Sequence, residues 1–537
     1  MNLDVLEGKR ADFNKDFEGK HSLANRNKKG QFATPPQLAN HIVNFVLKNY
    51  GPDLDGISFL EPCIGTGAFF SALLQNTPLK NIKKSVGVEL DFELFELTRD
   101  LWGDVLIEIL NFDFTEPETF LALKRSFNLI ITNPPYVRHQ HLSERQKERL
   151  QNYVYRELGF KVNGLAGLYV YFILIAHKFL SEKGLGVWLI PSEFFDVNYG
   201  EVLRKYFTQK VELLFVHKFD PKDLQFCDAL VSSSLIIFRK SLPGKNHSVK
   251  FSFGSSLDKP KRVKFLDLGE FENSSKWSSL ISEKNEQIEK ENMGFILGDL
   301  FKIQRGIATG GNEVFILPFE KAQDLGISKE FLQPILPSPR YIREKVIERD
   351  QDGFPKIERK MALLNCSFNE DVLKDKCPKL YEYFKSFENT EVTERYLIKK
   401  RHPWYKQEKR MPSPILCTYM GRNEGQNPFR FFLNYSDAIA PNVYLMLYPK
   451  ETLLKAMKRN PSLLGKIFVF LSTIKFEHFE KEGRVYGGGL HKIEPNELTK
   501  IPIIDFSKEI SDLYSIKPQQ MQFKFESPKK KFLFKAR

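Results

Sequence analysis

No stretch of this 537-residue chain is apolar for the length of a bilayer crossing, so no membrane-spanning helix is expected. Cysteine is scarce. Cys63, Cys227, Cys366, Cys377 and Cys417 are five in number, scattered, and form no C-x-x-C pair. That spacing argues against a disulfide framework and a cysteine zinc site, and it fits a reducing cytoplasm. The start, MNLDVLEGKRADFNKDFEGK, is polar and charged and lacks the apolar centre of a secretory signal. No internal repeat of solenoid or propeller period occurs. A glycine turn at residues 59–70 joins an apolar strand to a helix, but it is not G-x-G-x-x-G and has no P-loop lysine, so neither fingerprint applies.

What is present is a soluble, globular composition, 42% hydrophobic and 27% charged, in a chain long enough for two or three domains. The net charge of +13 is unevenly placed. Residues 1–240 hold 29 Lys and Arg against 29 Asp and Glu. Residues 241–537 therefore carry the whole excess, with 51 basic (80 less 29) and 38 acidic (67 less 29) residues. The basic tail SPKKKFLFKAR supplies only part of that surplus. A neutral half joined to a basic half suggests chemistry in the first and polyanion binding in the second.

Residues 1–29 are polar and are expected to be loosely ordered. In GQFATPPQLANHIVNFVLKNY, Thr34 is placed to cap a helix with Pro35 at its first position, and apolar residues recur at helical spacing through Val46. Short apolar runs then alternate with helical stretches: GISFL, AFFSALLQN, SVGVEL, FELFELTRDL, VLIEILNFDF and FNLIITNPPY. YVYFILIAHKFL follows as a helix, GLGVWLIP as a strand, and VELLFVHKF with ALVSSSLIIFRK as a terminal pair of strands. This order predicts an α/β fold over residues 30–245, a Rossmann-like, doubly wound and mostly parallel sheet. SLPGKNHSVKFSFGSSLDKPKR, from residue 241, reads as a linker region. Beyond it the alternation is lost. A separate α+β domain is expected over 246–512, then a basic tail at 513–537.

Four successive strand ends in the first domain carry polar groups. In FLEPCIGTGAFF, Gly65 and Gly67 let backbone approach a ligand, and the following helix offers free N–H groups. Glu89 closes SVGVE, about as far beyond the glycine turn as the acid that binds ribose hydroxyls in dinucleotide sites. Asp113 follows IEILNF, where a carboxylate can accept from an exocyclic amine. The fourth end is Asn133, Pro134, Pro135 and Tyr136. The prolines cannot donate to a sheet ladder, so they end the strand at the edge where open α/β sheets bind ligands.

An exocyclic amine on an aromatic ring is a poor nucleophile, because its lone pair is delocalised. Accepting hydrogen bonds from that N–H₂ favours a pyramidal nitrogen and frees the pair. Asn133 Oδ1 and the Pro134 carbonyl are two such acceptors. Tyr136 offers a face on which a flat base stacks. A base inside a duplex cannot reach such a site and must be flipped out. Its other face calls for a second aromatic ring.

These motifs, in this order, resemble the gamma-type, S-adenosylmethionine-dependent DNA adenine-N6 methyltransferases of restriction–modification systems, the TaqI-type enzymes, over residues 30 to about 240. By that resemblance, GQFATPP is similar to the first cofactor motif, with Thr34 and neighbouring backbone at the methionine portion. EPCIGTGAF resembles the methionine-binding loop. It places Glu61 near the amino group, with Pro62, Gly65 and Gly67 along the cofactor. Glu89 resembles the ribose-hydroxyl acid, and Asp113 with Phe114 the pair that recognises the cofactor's adenine. Asn133, Pro134, Pro135 and Tyr136 match the catalytic motif. QFCDALVSSSLIIF (225–238) resembles the segment whose phenylalanine packs on the flipped base, which gives that role to Phe226. Cys227 stands where other forms have proline, and Phe194 or Phe195 in IPSEFF is the rival. The resemblance implies direct methyl transfer to N6 of an adenine in duplex DNA, with no covalent enzyme intermediate and no metal. It also implies a monomer paired in function with a cognate restriction endonuclease.

FKIQRGIATGGNEVFIL, APNVYLMLY and YGGGLHKIEPNELTKIPI are similar to pieces of the target-recognition region of this group. There Gly306, Gly310 and Gly311 would bring backbone near phosphate, and Arg305 would read a base edge or a phosphate. RHPWYKQEKR (401–410) mixes bases with aromatics in a way that suits DNA. Other chemistries share the motif. Protein glutamine-N5 methylation also uses Asn-Pro-Pro-Tyr, but without a large basic C-terminal domain. RNA adenine-N6 methylation is a second alternative. Cytosine-N4 methylation more often has Ser in place of Asn133. A DNA-binding module with a dead methylase core would need a broken motif, and both motifs are intact. DGFPKIERK, with Asp352, Glu358 and Lys360, faintly echoes a metal nuclease, although no strand pattern frames it. The first cofactor motif lies too near the start for an amino-terminal nuclease.

Overall fold

The apolar runs of the N-terminal half form strands buried on both faces. The computed structural model describes residues 3–51, 56–103, 105, 107–123, 126–221, 223, 232–244, 247–281, 295–422, 427–486 and 489–503. It divides into two compact units, one of residues 1–284 with 486–489, the other of 285–485 with 490–537. Among the described residues no helix is long and apolar enough to cross a membrane.

The first unit runs α1 (Leu3–Lys20), α2 (Leu23–Lys29), α3 (Pro36–Tyr50), β1 (Ile57–Glu61), α4 (Ala68–Asn76), β2 (Ile82–Glu89), α5 (Phe92–Trp102), β3 (Ile107–Asn111), α6 (Pro117–Ala122) and β4 (Phe127–Thr132). It continues with α7 (Glu144–Leu158), α8 (Leu168–Ala176), β5 (Leu180–Pro191), α9 (Glu201–Gln209), β6 (Glu212–Phe219), β7 (Ser233–Arg239), β8 (Ser248–Gly254) and β9 (Arg262–Asp267). The strands form one nine-stranded sheet in the order β3-β2-β1-β4-β5-β7-β6-β8-β9. β1 through β5 pair in parallel, and β7 runs antiparallel between β5 and β6.

Side-chain alternation sorts this sheet into two cores. Leu129 and Ile131 of β4, with Val187 and Leu189 of β5, join the cluster under α3 and α4. Ile130, Trp188 and Ile190 join the cluster under α7 and α8. Each such fully buried aliphatic side chain contributes about 2 kcal/mol relative to exposure. The doubly wound, mostly parallel sheet expected from the sequence is thus present.

Several expectations give way. Residues 1–29 are not loose, because α1 places Leu3, Leu6 and Phe13 against the α3–α4 core and buries Phe17. The helix after Thr34 starts one residue later than expected, with Pro36 at its first position and Pro35, in extended backbone, as its cap. The strand pair β6–β7 is not terminal, since β8 pairs parallel with β6, and β9 pairs antiparallel with β8. The stretch read as a linker therefore contributes strands, and the first unit reaches residue 284 rather than 245. Val249 and Phe251 of β8 supply the physical reason, since both are fully buried.

In the second unit, β10 (Phe301–Arg305), β11 (Ile316–Pro318), β12 (Leu332–Ile335), β13 (Val346–Ile347), β14 (Met361–Leu364), β15 (Ile415–Thr418), β16 (Phe431–Asn434) and β17 (Tyr444–Pro449) are the main strands. They make a five-stranded sheet, β10-β17-β15-β16-β13, and a three-stranded sheet, β11-β14-β12. Alternation again gives two cores. Leu416, Tyr444 and Met446 face one, and Ile415, Cys417, Leu445 and Leu447 face the other. The basic tail lies outside the described residues.

Candidate active site

Four strand ends meet where the strand order reverses. β1 ends at Glu61, β2 at Glu89, β3 at Asn111 with Asp113 two residues on, and β4 at Thr132 with Asn133 next. β1 lies between β2 and β4, so the chain leaves it in both directions and a crevice opens above the strand ends. A cavity of about 640 Å³ occupies that crevice, lined by Thr34, Glu61, Pro62, Gly65 and Glu89. Asp113, Phe114, Asn133 and Pro135 complete the set of expected residues that border it, while Gly67, Pro134 and Tyr136 stand outside the lining.

The amide of Asn133 is held one way round. Its Nδ2 donates to the Phe32 carbonyl (3.3 Å) and to Thr34 Oγ1 (3.2 Å). A carbonyl can only accept, so the nitrogen must face it. The acceptor end, Oδ1, is buried with no hydrogen-bond partner. Such a group costs about 1–3 kcal/mol while unpaired, so it marks a place where a donor is wanted. The later start of α3 explains this geometry in part, because the Thr34 hydroxyl, not being the cap, is available to Asn133. Cys63 supports the same loop from below, with Sγ donating to the Asn133 carbonyl (3.2 Å). Tyr136 donates from its hydroxyl to the Leu189 carbonyl on β5 (3.2 Å), which pins the ring. Phe32 lies 5.9 Å from that ring, tilted, and Tyr169 lies 6.5 Å away, edge-on.

The carboxylates differ in their partners. Glu61 is buried with Oε2 unpartnered, and burial pushes its carboxyl well above the usual range. Glu89 accepts from the Gly65 N–H through Oε2 and from the Asp91 N–H through Oε1, both at 2.9 Å. Burial outweighs those bonds and raises its pKa to about 7. Asp113 uses Oδ1 for both the N–H (2.8 Å) and hydroxyl (2.7 Å) of Thr115, which fixes the turn after β3. Phe114 is buried against Phe172 and Phe179, at 5.2 and 5.7 Å. The two glycines separate in role. A Cβ at Gly65 would meet open space, whereas one at Gly67 would fall 2.7 Å from Trp102 Nε1, so Gly67 serves close packing.

Phe194 and Phe195 are fully buried among Phe207, Phe251 and Trp277, so neither has a free face for a base. Phe226 lies outside the described residues. Missed from sequence were Arg10, Asn14 and Phe17 of α1 and the exposed ring of Phe112, all in the cavity wall. The signal for α1 was the helical spacing of Leu3, Leu6, Phe13 and Phe17, which its high charge masked.

In the second unit the expected contact residues hold one another. Arg305 is exposed but stacks on Tyr419 (3.9 Å) and donates from Nε to the Asn442 carbonyl (2.8 Å). Gly306 is buried and gives its N–H to the Tyr444 carbonyl (2.9 Å), so that N–H is not offered to phosphate. Gly310 and Gly311 pack close to Ile398. Arg401 caps the carbonyls of Ala308 (2.8 Å) and Thr309 (2.5 Å), and Arg410 donates to Gln304 (2.8 Å), so both support this loop. Lys360 pairs with Asp350 (2.6 Å) and Asp352 with Lys329 (3.3 Å).

Residues 73–225 match the family model of the Eco57I restriction-modification methylase, and residues 274–527 match that of the C-terminal domain of the Type II methyltransferase M.Eco57I. The Type II methyltransferase M.AccI of Acinetobacter calcoaceticus is 27% identical over 524 residues, 93% of this chain and 91% of that protein. The Type II methyltransferase M.XamI of Xanthomonas campestris pv. amaranthicola is 25% identical over 497 residues, 88% of this chain and 85% of that protein. Two solved structures share the fold at 12% identity and a TM-score of 0.52. They are the Type IIL restriction-modification enzyme MmeI in complex with DNA (82% of this chain, 65% of that one) and a DrdV–DNA complex (87% and 55%). The chain spans less than two thirds of either solved chain. Matched in both its units, and built on the class I methyltransferase sheet with its strand-end acids and Asn-Pro-Pro-Tyr turn, this chain belongs to the DNA methyltransferases of restriction–modification systems, in the Eco57I family.

Proposed function

We propose that this protein methylates N6 of an adenine flipped out of duplex DNA, with S-adenosylmethionine as methyl donor, at a specific site shared with a cognate restriction endonuclease. The observation that carries the reading is the orphan Asn133 Oδ1, buried and fixed by its own Nδ2 bonds. It waits for an N–H donor at the end of β4. Adenine N6 has two, and the Pro134 carbonyl is the acceptor for the second. Tyr136, pinned by Leu189, supplies one stacking face, and Phe226 is assigned the other. The sulfonium cofactor would supply an electrophilic methyl carbon, its sulfur keeping the electron pair of the broken S–C bond as the neutral thioether. The chain's part is to hold the amine in line and to favour the pyramidal nitrogen, after which N6 sheds one proton to solvent. The DNA bound in the solved structures of MmeI and DrdV and the charge excess in residues 241–537 support placing duplex binding in the second unit. The chain is expected to act as a monomer.

The cavity suits this cofactor. It has an acid for a ribose at Glu89, a partly free carboxylate at Asp113 beside Phe112 and Phe114 for an adenine, and an unpartnered carboxylate oxygen at Glu61 for an ammonium. Glu89 accepts ribose hydroxyls best when ionised, and its pKa of about 7 lies above the usual 4.5. Affinity for S-adenosylhomocysteine should therefore climb with pH up to about 7 and level above it. Titration calorimetry at several pH values checks this, and Glu89→Gln should flatten the rise. An equally steep rise in the variant would assign it to another group.

Base-resolution sequencing of DNA from cells with and without the chain tests the function. N6-methyladenine at one recurrent sequence, only in cells carrying the chain, is the expected result. Modified cytosine, or label confined to protein or RNA, would replace the proposal.

A further inference from the structure

α1 supplies one wall of the cavity through Arg10, Asn14 and Phe17. Arg10 is 1% exposed. A guanidinium buried to that degree has to be paired and hydrogen-bonded. Glu7 accepts from Nε (2.9 Å) and from Nη2 (2.5 Å), a two-point clasp that fixes the plane of the fork. Nη1 donates to Thr66 Oγ1 (3.3 Å), in the glycine turn, and that hydroxyl donates on to Asn14 Oδ1 (3.0 Å). Ser71, on α4, donates to Glu7 (2.5 Å) and holds the clasp itself. Of the five guanidinium N–H groups, these bonds use three, leaving one on each terminal nitrogen.

Glu61 lines the same cavity. Its Oε2 is buried and unpartnered; burial holds its carboxyl well above the usual range, and the Arg10 charge offsets that only in part. A buried carboxyl oxygen without a partner calls for a donor, and an ammonium, which also draws the carboxyl toward its ionised form, is one. A rigid guanidinium with spare N–H groups calls for an anion. On the wall of one cavity, the two are complementary to an α-amino acid terminus, with its ammonium and its carboxylate.

We propose that Arg10 is a cofactor-binding residue that donates to the α-carboxylate of S-adenosylmethionine while Glu61 takes the ammonium, so that α1 is part of the cofactor site. This rests on the cofactor proposed above. It assigns a task to a helix that precedes every recognised motif, and it explains why a charged segment is clamped so firmly to the glycine turn.

Calorimetric titration with two ligands tests it. S-adenosylhomocysteine carries the amino acid terminus, and 5′-methylthioadenosine lacks both its charges. Arg10→Met should weaken S-adenosylhomocysteine by a factor on the order of ten or more and leave methylthioadenosine unchanged. Because this variant strands Glu7, the double variant Glu7→Gln, Arg10→Met is run beside it, with the same selective loss expected. Equal affinity of wild type and both variants for S-adenosylhomocysteine would overturn the inference. So would a parallel loss for both ligands, which would make Arg10 a brace for the glycine turn only. A wild-type protein that binds methylthioadenosine or neither ligand, but not S-adenosylhomocysteine, would overturn the cofactor assignment itself, and this inference with it.

Discussion

Asn133→Ala should reduce methyl transfer by about 10²- to 10³-fold or more, the range seen when one preorganised hydrogen-bonding group is removed from a reacting centre. The loss should fall on the chemical step. Asn133 Oδ1 makes no bond within the protein, so the fold does not depend on it, and truncation frees only the Phe32 carbonyl and the Thr34 hydroxyl. Affinity for S-adenosylhomocysteine and for duplex DNA should stay within a few-fold of wild type. Single-turnover rates under saturating cofactor, beside equilibrium binding of both ligands, separate the two effects. A variant that keeps a tenth of the wild-type rate would remove Asn133 as the principal acceptor.

Gly30→Ala should be nearly as damaging, for a reason outside the motif. Gly30 sits at φ +69°, and a Cβ there would meet the backbone nitrogens of Tyr136 at 2.6 Å and Val137 at 2.9 Å. Those are main-chain atoms at the end of the Asn-Pro-Pro-Tyr turn and just past it, and they cannot swing aside as a side chain would. The segment between α2 and α3 or the Asn-Pro-Pro-Tyr turn must move. A shift of that size at reacting atoms costs about 10²-fold in rate, together with roughly 1–3 kcal/mol of stability. Gly159→Ala is the control. It has a similar φ of +77° at the end of α7 but open space around its Cβ. It should lose about 1 kcal/mol and keep its turnover. Denaturant unfolding and single-turnover rates on both variants measure the difference, and equal turnover losses would show that the clash at Gly30 is not what matters.

Much of the candidate site was legible because its signals are local. Prolines stop β4 at Thr132 and leave Asn133 just beyond it, and acids close β1 and β2, so period and punctuation alone place them at one edge. What the pattern could not carry were contacts between distant segments. Nothing in Gly30, Phe32 or Thr34 says that they close over residue 133 from about a hundred residues away. Two adjacent prolines both suit the first turn of α3, and only the extended backbone of Pro35 decides between them. α1 escaped notice because its charged residues face one another and the cavity rather than water alone, as Arg10 with Glu7 illustrates. β8 and β9 were hidden by the turn residues that flank them. In the second unit, the family resemblance implied contact residues, but Arg305 and Arg401 are largely spent on carbonyls and rings of their own unit.

The central claim is that the acceptor at Asn133 meets adenine N6 in DNA. Incubating the protein with methyl-labelled S-adenosylmethionine and unmethylated duplex DNA, then digesting to nucleosides, tests it most directly. Label in N6-methyldeoxyadenosine alone is the predicted result. Label in N4-methyldeoxycytidine, or in protein with none in the duplex, would contradict it.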